Sequence, residues 1–253
     1  MNQNRCSFSL VAAGCATLLV ASMAQAAPIA INNHSFEDPT IGDGAFVTSG
    51  PGTGTLNGWS FAVENGPSFE DFGIENPGGG AYTGAAAAGT PAGADGTNVA
   101  FLNQDNEGLT STLFQNVGAL QANTKYTLTV AIGQRSDRIN GPVEIALLNA
   151  PAGATDVFAA GTLLSSTTGV SGTPGAFEDF TATFTTGALV SDALYVGARF
   201  LETADNFIQG SVDNFRLDAT AVPEPTSLVM AGAALGGLAT FSHRRNKRGE
   251  RMN

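Results

Sequence analysis

Two acidic positions near opposite ends of the chain are where chemistry is most readily imagined. The stretch "INNHSFEDP" carries Glu37 and Asp38, and "SVDNFRLD" carries Asp213 two residues before Phe215 and four before Leu217. Residues two apart on a strand share a face, so Asp213 is expected to point with those apolar neighbours into a core. A bare buried carboxylate costs several kcal/mol and must be neutralised, paired or metal-bound. Calcium, a hard cation that takes about six to eight oxygen ligands, meets that need. Glu37 and Asp213 are therefore candidate ligands of a structural Ca2+. The alternative is an Asp213 at the sheet margin, solvated or paired with Arg216.

Other chemistries find less support. Outside the C-terminal tail, which holds His243, His34 is the only histidine; it is expected to be a structural or surface residue and not a catalytic base, and a zinc shell of nitrogen and sulfur is disfavoured. "NQDNEG", residues 103–108, has acidic spacing like an EF-hand loop, yet the twelfth position is Phe114 where a bidentate Glu is required. Glu64, Glu70, Asp71 and Glu75 are acids available to a glycosidase, but no pair stands out by spacing. Carbohydrate platforms use exposed aromatic faces. Trp59 and Tyr126 fit a core, which leaves Tyr82, in the Gly-rich stretch "NPGGGAYTGAAAAGTPAGADG", as the candidate ligand-binding ring.

The elements that would position these residues read as strands. "TKYTLTVAI" sets Tyr126, Leu128, Val130 and Ile132 on one face against Thr127 and Thr129, "FTATFTT" alternates Phe180, Ala182 and Phe184 with threonines, and "ALYVGARFL" alternates Leu194, Val196, Ala198 and Phe200. Period two means half-buried antiparallel strands. Further strands are expected at 29–36, 58–63, 98–102, 110–117, 143–148, 162–166 and 212–217. No amphipathic helix is expected, and the small-residue stretch 42–96 is expected to form long loops around the Trp59 strand. Many short strands with Gly-rich joints predict an all-β fold, a single jelly-roll β-sandwich over 27–220.

The two ends are expected to be processing signals. Residues 1–26 combine Arg5, an apolar run and the small-residue exit Ala24-Gln25-Ala26, the pattern of a secretory signal peptide with its helix. Cys6 and Cys15, the only cysteines, fall inside it, so the exported chain would have no disulfide. Residues 27–222 hold five basic and twenty acidic residues, a net charge of about −15, which argues against nucleic acid as a partner. In the tail, residues 221–250, the apolar stretch 226–241 is followed by Arg244, Arg245, Lys247 and Arg248, a stop-transfer arrangement. As a helix it spans roughly 25 Å, short of the ~30 Å hydrocarbon core, so it is a marginal transmembrane helix. Pro223, Glu224 and Pro225 fix an extended strip just outside it.

That order of Pro-Glu-Pro, short apolar helix and arginine cluster resembles the PEP-CTERM sorting tail of exopolysaccharide-producing Gram-negative bacteria, also described as an ice-binding protein C-terminal domain. The resemblance implies recognition by an exosortase in the inner membrane, with Pro223, Glu224 and Pro225 as substrate residues. The globular part is similar to the galactose-binding-like jelly rolls that include many carbohydrate-binding modules, through Asn33 with Phe36 and Glu37, Trp59, Gln115 through Leu120 to Tyr126 and Leu128, and Asp213-Asn214. That resemblance implies that Glu37 and Asp213 ligate a structural Ca2+ joining the first and last strands. The expected protein is exported, sorted to the cell surface or exopolysaccharide matrix of a biofilm, and not an enzyme, with a glycan-binding or matrix-organising role and polysaccharide as a partner. The alternatives are a structural or adhesive protein without a ligand site, a secreted glycosidase-type enzyme, and an ice-binding protein.

Overall fold

The computed structural model describes residues 25–50, 52–63, 71–87, 89–104, 111–201 and 208–223. The expected leader and apolar tail helices, Glu224, Pro225 and the basic cluster lie outside the described residues, as do Glu64 and Glu70. Among the described residues no helix is long and apolar enough to cross a membrane.

Thirteen strands and one short helix follow in chain order: β1 Ala27–Ile29, β2 Phe46–Thr48, β3 Gly52–Leu56, β4 Trp59–Val63, β5 Phe72–Glu75, β6 Val99–Gln104 and β7 Ser111–Ala119. Then come β8 Thr124–Gln134, β9 Val143–Ala150, α1 Val157–Ala160, β10 Thr162–Gly169, β11 Ala176–Thr185, β12 Ala193–Phe200 and β13 Ile208–Ala221. They form two antiparallel sheets. One runs β11-β8-β13-β6-β5-β2 with β1 added along β13; the other runs β10-β9-β12-β7-β4-β3. The fold is the all-β sandwich of jelly-roll type that the alternating segments predict.

The core lies between the sheets. Trp59, Phe36 and Phe215 form its aromatic centre, with ring centroids 4.6–6.0 Å apart, and the Trp59 indole N–H donates to Asn33 O at 3.0 Å. Tyr126, Leu128, Val130 and Ile132 point inward from β8, as their spacing requires. β9 and β12, however, are buried on both faces. Their second face, with Ala146, Leu148 and Tyr195, packs with Phe114 under Val157 of α1, whose N-terminus is capped by Asp156.

The structure corrects three expectations. The strand expected at 29–36 ends at Ile29, because Asn33 and Phe36 adopt left-handed backbone and the Asn33 side chain closes a local turn through Asp38 N, Asp38 O and Asn57 O. The 42–96 stretch is not a set of loops around one strand: it supplies β2, β3 and β5 as well as β4. Its Ala81, Tyr82 and Ala85 pack with Val99, Ala131 and Phe177 on the outer face of the β8-containing sheet, where small side chains allow backbone to lie close to backbone. Tyr82 is consequently 2% exposed, with its ring 4.9 Å from that of Phe177, and is not an exposed ligand-binding ring.

The third correction concerns Asp213. A register shift between Asp213 and Arg216, with Asn214 at φ +51°, forms a bulge in β13. Before it Ile208 and Val212 face the core; after it Phe215 and Leu217 do. Asp213 is therefore fully buried but out of step with Phe215, on the outer face with Gln209 and Ser211. Arg216 pairs with Asp179 instead.

Candidate functional site

The bulge brings Asp213 beneath the turn that precedes β6, residues 93–98. The Asp95 amide donates to Asp213 Oδ2 at 2.6 Å, while Oδ1 has no hydrogen-bond partner. Burial pushes this carboxyl well above the usual carboxylate range. The amides of Asp95 and Asn214 pull it down without reversing the shift, and the nearby charges of Asp95 and Glu37 push it further up.

Glu37 holds the other flank of the same turn. Its Oε1 accepts the amides of Thr97 at 2.9 Å and Asn98 at 2.8 Å, and its Oε2 accepts the Thr97 hydroxyl at 3.3 Å. Asn98 reciprocates, donating from Nδ2 to Phe36 O and Pro39 O, both at 2.9 Å. Gly96, at φ +95°, sits so close that a Cβ there would be 2.3 Å from Glu37 Oε1. His34 Nδ1 lies 3.9 Å from Asp95 Oδ2, and both side chains are about half exposed.

The structure thus brings Glu37 and Asp213 to one turn, 176 residues apart in sequence, and adds Asp95, which spacing alone did not single out. The "ADG" at residues 94–96 signals a turn, not that this turn closes over the last strand. Among the described residues no three of His, Cys, Asp and Glu converge tightly enough to hold a metal ion. The chemistry of the pair still suits a hard cation: Asp213 Oδ1 is an orphaned buried oxygen, and Glu37 and Asp95 are close enough to raise its proton affinity. It equally suits a neutral carboxylic acid.

A second buried polar group lies on the same outer face. Arg135 Nη1 donates to both carboxylate oxygens of Glu75 at 2.8 Å, and its Nε and Nη2 donate to Asp137 at 2.9 Å. Burial lifts the Glu75 carboxyl against the opposing pull of Arg135, and the same guanidinium lowers that of Asp137. The Tyr82 hydroxyl faces Ser211 and neither makes a hydrogen bond of normal geometry; burial raises this phenol. Of the acids considered for glycosidase chemistry, Glu75 is thus tied to Arg135, and Asp71 accepts the Asn103 side-chain amide at 2.6 Å.

Comparison with known proteins gives two family matches. The family described as HpiC1 cyclase matches residues 27–218, and the PEP-CTERM protein-sorting motif matches residues 221–245, spanning Pro223, Glu224 and Pro225. Among solved structures, a cyclase from Fischerella sp. TAU is similar with a TM-score of 0.60 and 22% identity over 79% of this chain and all of that one. A Stig cyclase of the same organism, in complex with (3Z)-3-(1-methyl-2-pyrrolidinylidene)-3H-indole, gives 0.58 and 21%, covering 79% and 100% of the two chains. An apo cyclase from Fischerella sp. gives 0.57 and 22%, covering 79% and 98%. At these identities the likeness establishes the fold. No curated protein sequence matches. The sorting motif implies exosortase recognition, membrane association and export.

The raised Asp213 carboxyl has a measurable consequence. Folding holds a proton here that the unfolded chain releases above pH about 4, so stability falls as pH rises from there through the elevated folded value. In chelator-containing buffer, Asp213→Asn should remove that slope and be at least as stable as the parent at neutral pH. Urea unfolding at a series of pH values checks it; an Asn variant with an unchanged slope contradicts the assignment.

Proposed function

The chain belongs to the HpiC1 cyclase family, and from that premise we propose that it is an exported, non-catalytic member that an exosortase sorts to the cell surface or exopolysaccharide matrix, where it has a matrix-organising role. The observation that carries this reading is the sorting motif, which begins at residue 221, where β13 ends. A net charge of about −15 across residues 27–222 suits solubility outside the cell. Trp59 and all three tyrosines are buried, so among the described residues Phe46, 64% exposed, is the aromatic ring open to a polysaccharide.

A second reading, an acid-assisted cyclisation of an indole substrate, is favoured by one feature: Asp213 is a buried carboxyl whose proton affinity burial raises, with one oxygen free of any hydrogen bond, as a general acid requires. Turnover of an indole compound by this chain that is lost in Asp213→Asn would replace the first reading with this one.

The first reading is tested by mass analysis of the C-terminus in cells with and without an exosortase. Truncation at or near Pro223-Glu224-Pro225 only where the enzyme is present is the expected result. An intact C-terminus in both strains contradicts it.

Calcium belongs to the same proposal. Asp213 Oδ1 and Glu37 would offer hard oxygens to the ion, with carbonyl and water oxygens completing its shell. A bound ion would neutralise Asp213 without a proton and tie the turn after β1 to β13. At saturating Ca2+ the melting temperature should rise by several degrees, since about 1 kcal/mol moves a domain of this size by roughly 2–4 °C. Glu37→Gln or Asp213→Asn should abolish the increment. A melting temperature indifferent to chelation excludes the ion.

A further inference from the structure

The sandwich and the sorting motif share residues. The match to the cyclase family ends at residue 218, β13 runs on to Ala221, and the match to the sorting motif begins at that same Ala221. Ala221 and Val222, with which the motif opens, are therefore held by the fold. In the β13–β8 ladder Ala219 faces Tyr126, Thr220 faces Lys125 and Ala221 faces Thr124, and the Val222 amide continues the pattern by donating to Asn123 O at 2.7 Å. On the other edge of β13, Ala219 faces Ala27 of β1.

The partner of this strand end is fastened independently of β13. Thr124 and Thr186 are both buried. The Thr186 hydroxyl accepts the Thr124 amide at 2.8 Å and donates to Gln121 O at 2.7 Å, the Thr186 amide donates to Thr124 O at 2.9 Å, and the Asn123 amide donates to Gly187 O at 2.9 Å. Ala221 and Val222, by contrast, are exposed. Their release uncovers little apolar surface, and strand ends of that kind open at far lower cost than the centre of a sheet.

An extended peptide is held by its partner chiefly through main-chain hydrogen bonds, the same N–H and C=O groups that pair strands. An amide already donating within a sheet has no second hydrogen to offer an enzyme. We propose that the end of β13 is a latch on the sorting motif: while Ala221 and Val222 are zipped to the start of β8 the motif is withheld, and an exosortase acts on the chain once residues 220–222 have frayed from 123–125. The inference rests on exosortase recognition of the motif. Where opening and closing are fast beside cleavage, proteolysis follows the population of the open form. The rate of processing is then set by the pairing of this strand end and by the Thr186 hydroxyl that fastens its partner, and a chain whose β13 has not yet paired is processed faster than a folded one.

The test follows truncation of the full chain over time, by mass analysis, in cells that possess an exosortase, with Cys6→Ser and Cys15→Ser to remove every native cysteine. Ala221→Cys with Thr124→Cys staples the latch, since directly opposed residues of an antiparallel pair have Cα atoms about 4.5–5.5 Å apart, within the span of a disulfide. Thr183→Cys with Thr127→Cys, opposed in the β11–β8 ladder, is the control staple that leaves β13 alone. Thr186→Val loosens the latch by removing the hydroxyl. The expected result is that the 221–124 disulfide slows truncation many-fold and reductant restores the parental rate, that the 183–127 disulfide leaves the rate unchanged, and that Thr186→Val raises it several-fold. Truncation of the 221–124 disulfide form at the parental rate overturns the latch while leaving the sorting reading intact, and so does equal slowing by both disulfides. A parent chain that is not truncated in these cells overturns the sorting reading and the latch with it.

Discussion

The arrangement of this molecule depends on a bulge in its last strand. β13 pairs with β8 on one side and with β6 and β1 on the other, so a change in its register propagates across the sheet. The left-handed Asn214 inserts one residue and reverses the alternation, sending Phe215 into the aromatic centre with Trp59 and Phe36 and turning Asp213 outward under the 93–98 turn. There the Asp95 amide accounts for one carboxylate oxygen and nothing accounts for the other. An ionised carboxylate in that place is costly, which is why burial raises the proton affinity of Asp213. Glu37 fastens the same turn from the opposite flank, leaving no room for a side chain at residue 96. One turn thus connects the beginning of the domain to its end.

Much of the fold was legible where one face of a strand meets water. β8, β11 and β12 announce themselves by alternating residues, because half-burial imposes period two. The alternation says which residues are buried together, but not that β12 is covered on its second face as well; α1, a single turn of four residues, was too short to leave a periodic signal. The 42–96 stretch was opaque for a related reason. Alanine and glycine carry little apolar surface, so their burial on the outer face of the sheet cannot be read from hydropathy, and the role of Tyr82 as a buried filler followed from it.

The candidate site was half legible. Glu37 and Asp213 were singled out as acids at suggestive places, and the structure does bring both to one turn. Asp213 was nonetheless assigned to the wrong face, because counting residues by twos assumes an unbroken strand and a bulge is written in backbone conformation. Asp95 was missed because its part is played by a backbone amide, which every non-proline residue has. The Arg135–Glu75–Asp137 group was missed because Glu75, at the end of β5, lies 60 residues before the segment that carries Arg135 and Asp137. The tail, by contrast, was legible in its sorting motif, which is a linear sequence signal.

Export and an acid-bearing site fit the same molecule. Cysteine is confined to the first 26 residues, so no disulfide holds residues 27–222, whose stability comes from the sandwich core and from β13. The contact that joins these is the Asp95 amide donating to Asp213. Residue-resolved hydrogen exchange at the Asp95 amide tests it most directly. The account predicts protection comparable to that of the central amides of β13, whereas exchange at the rate of an open surface turn would contradict it.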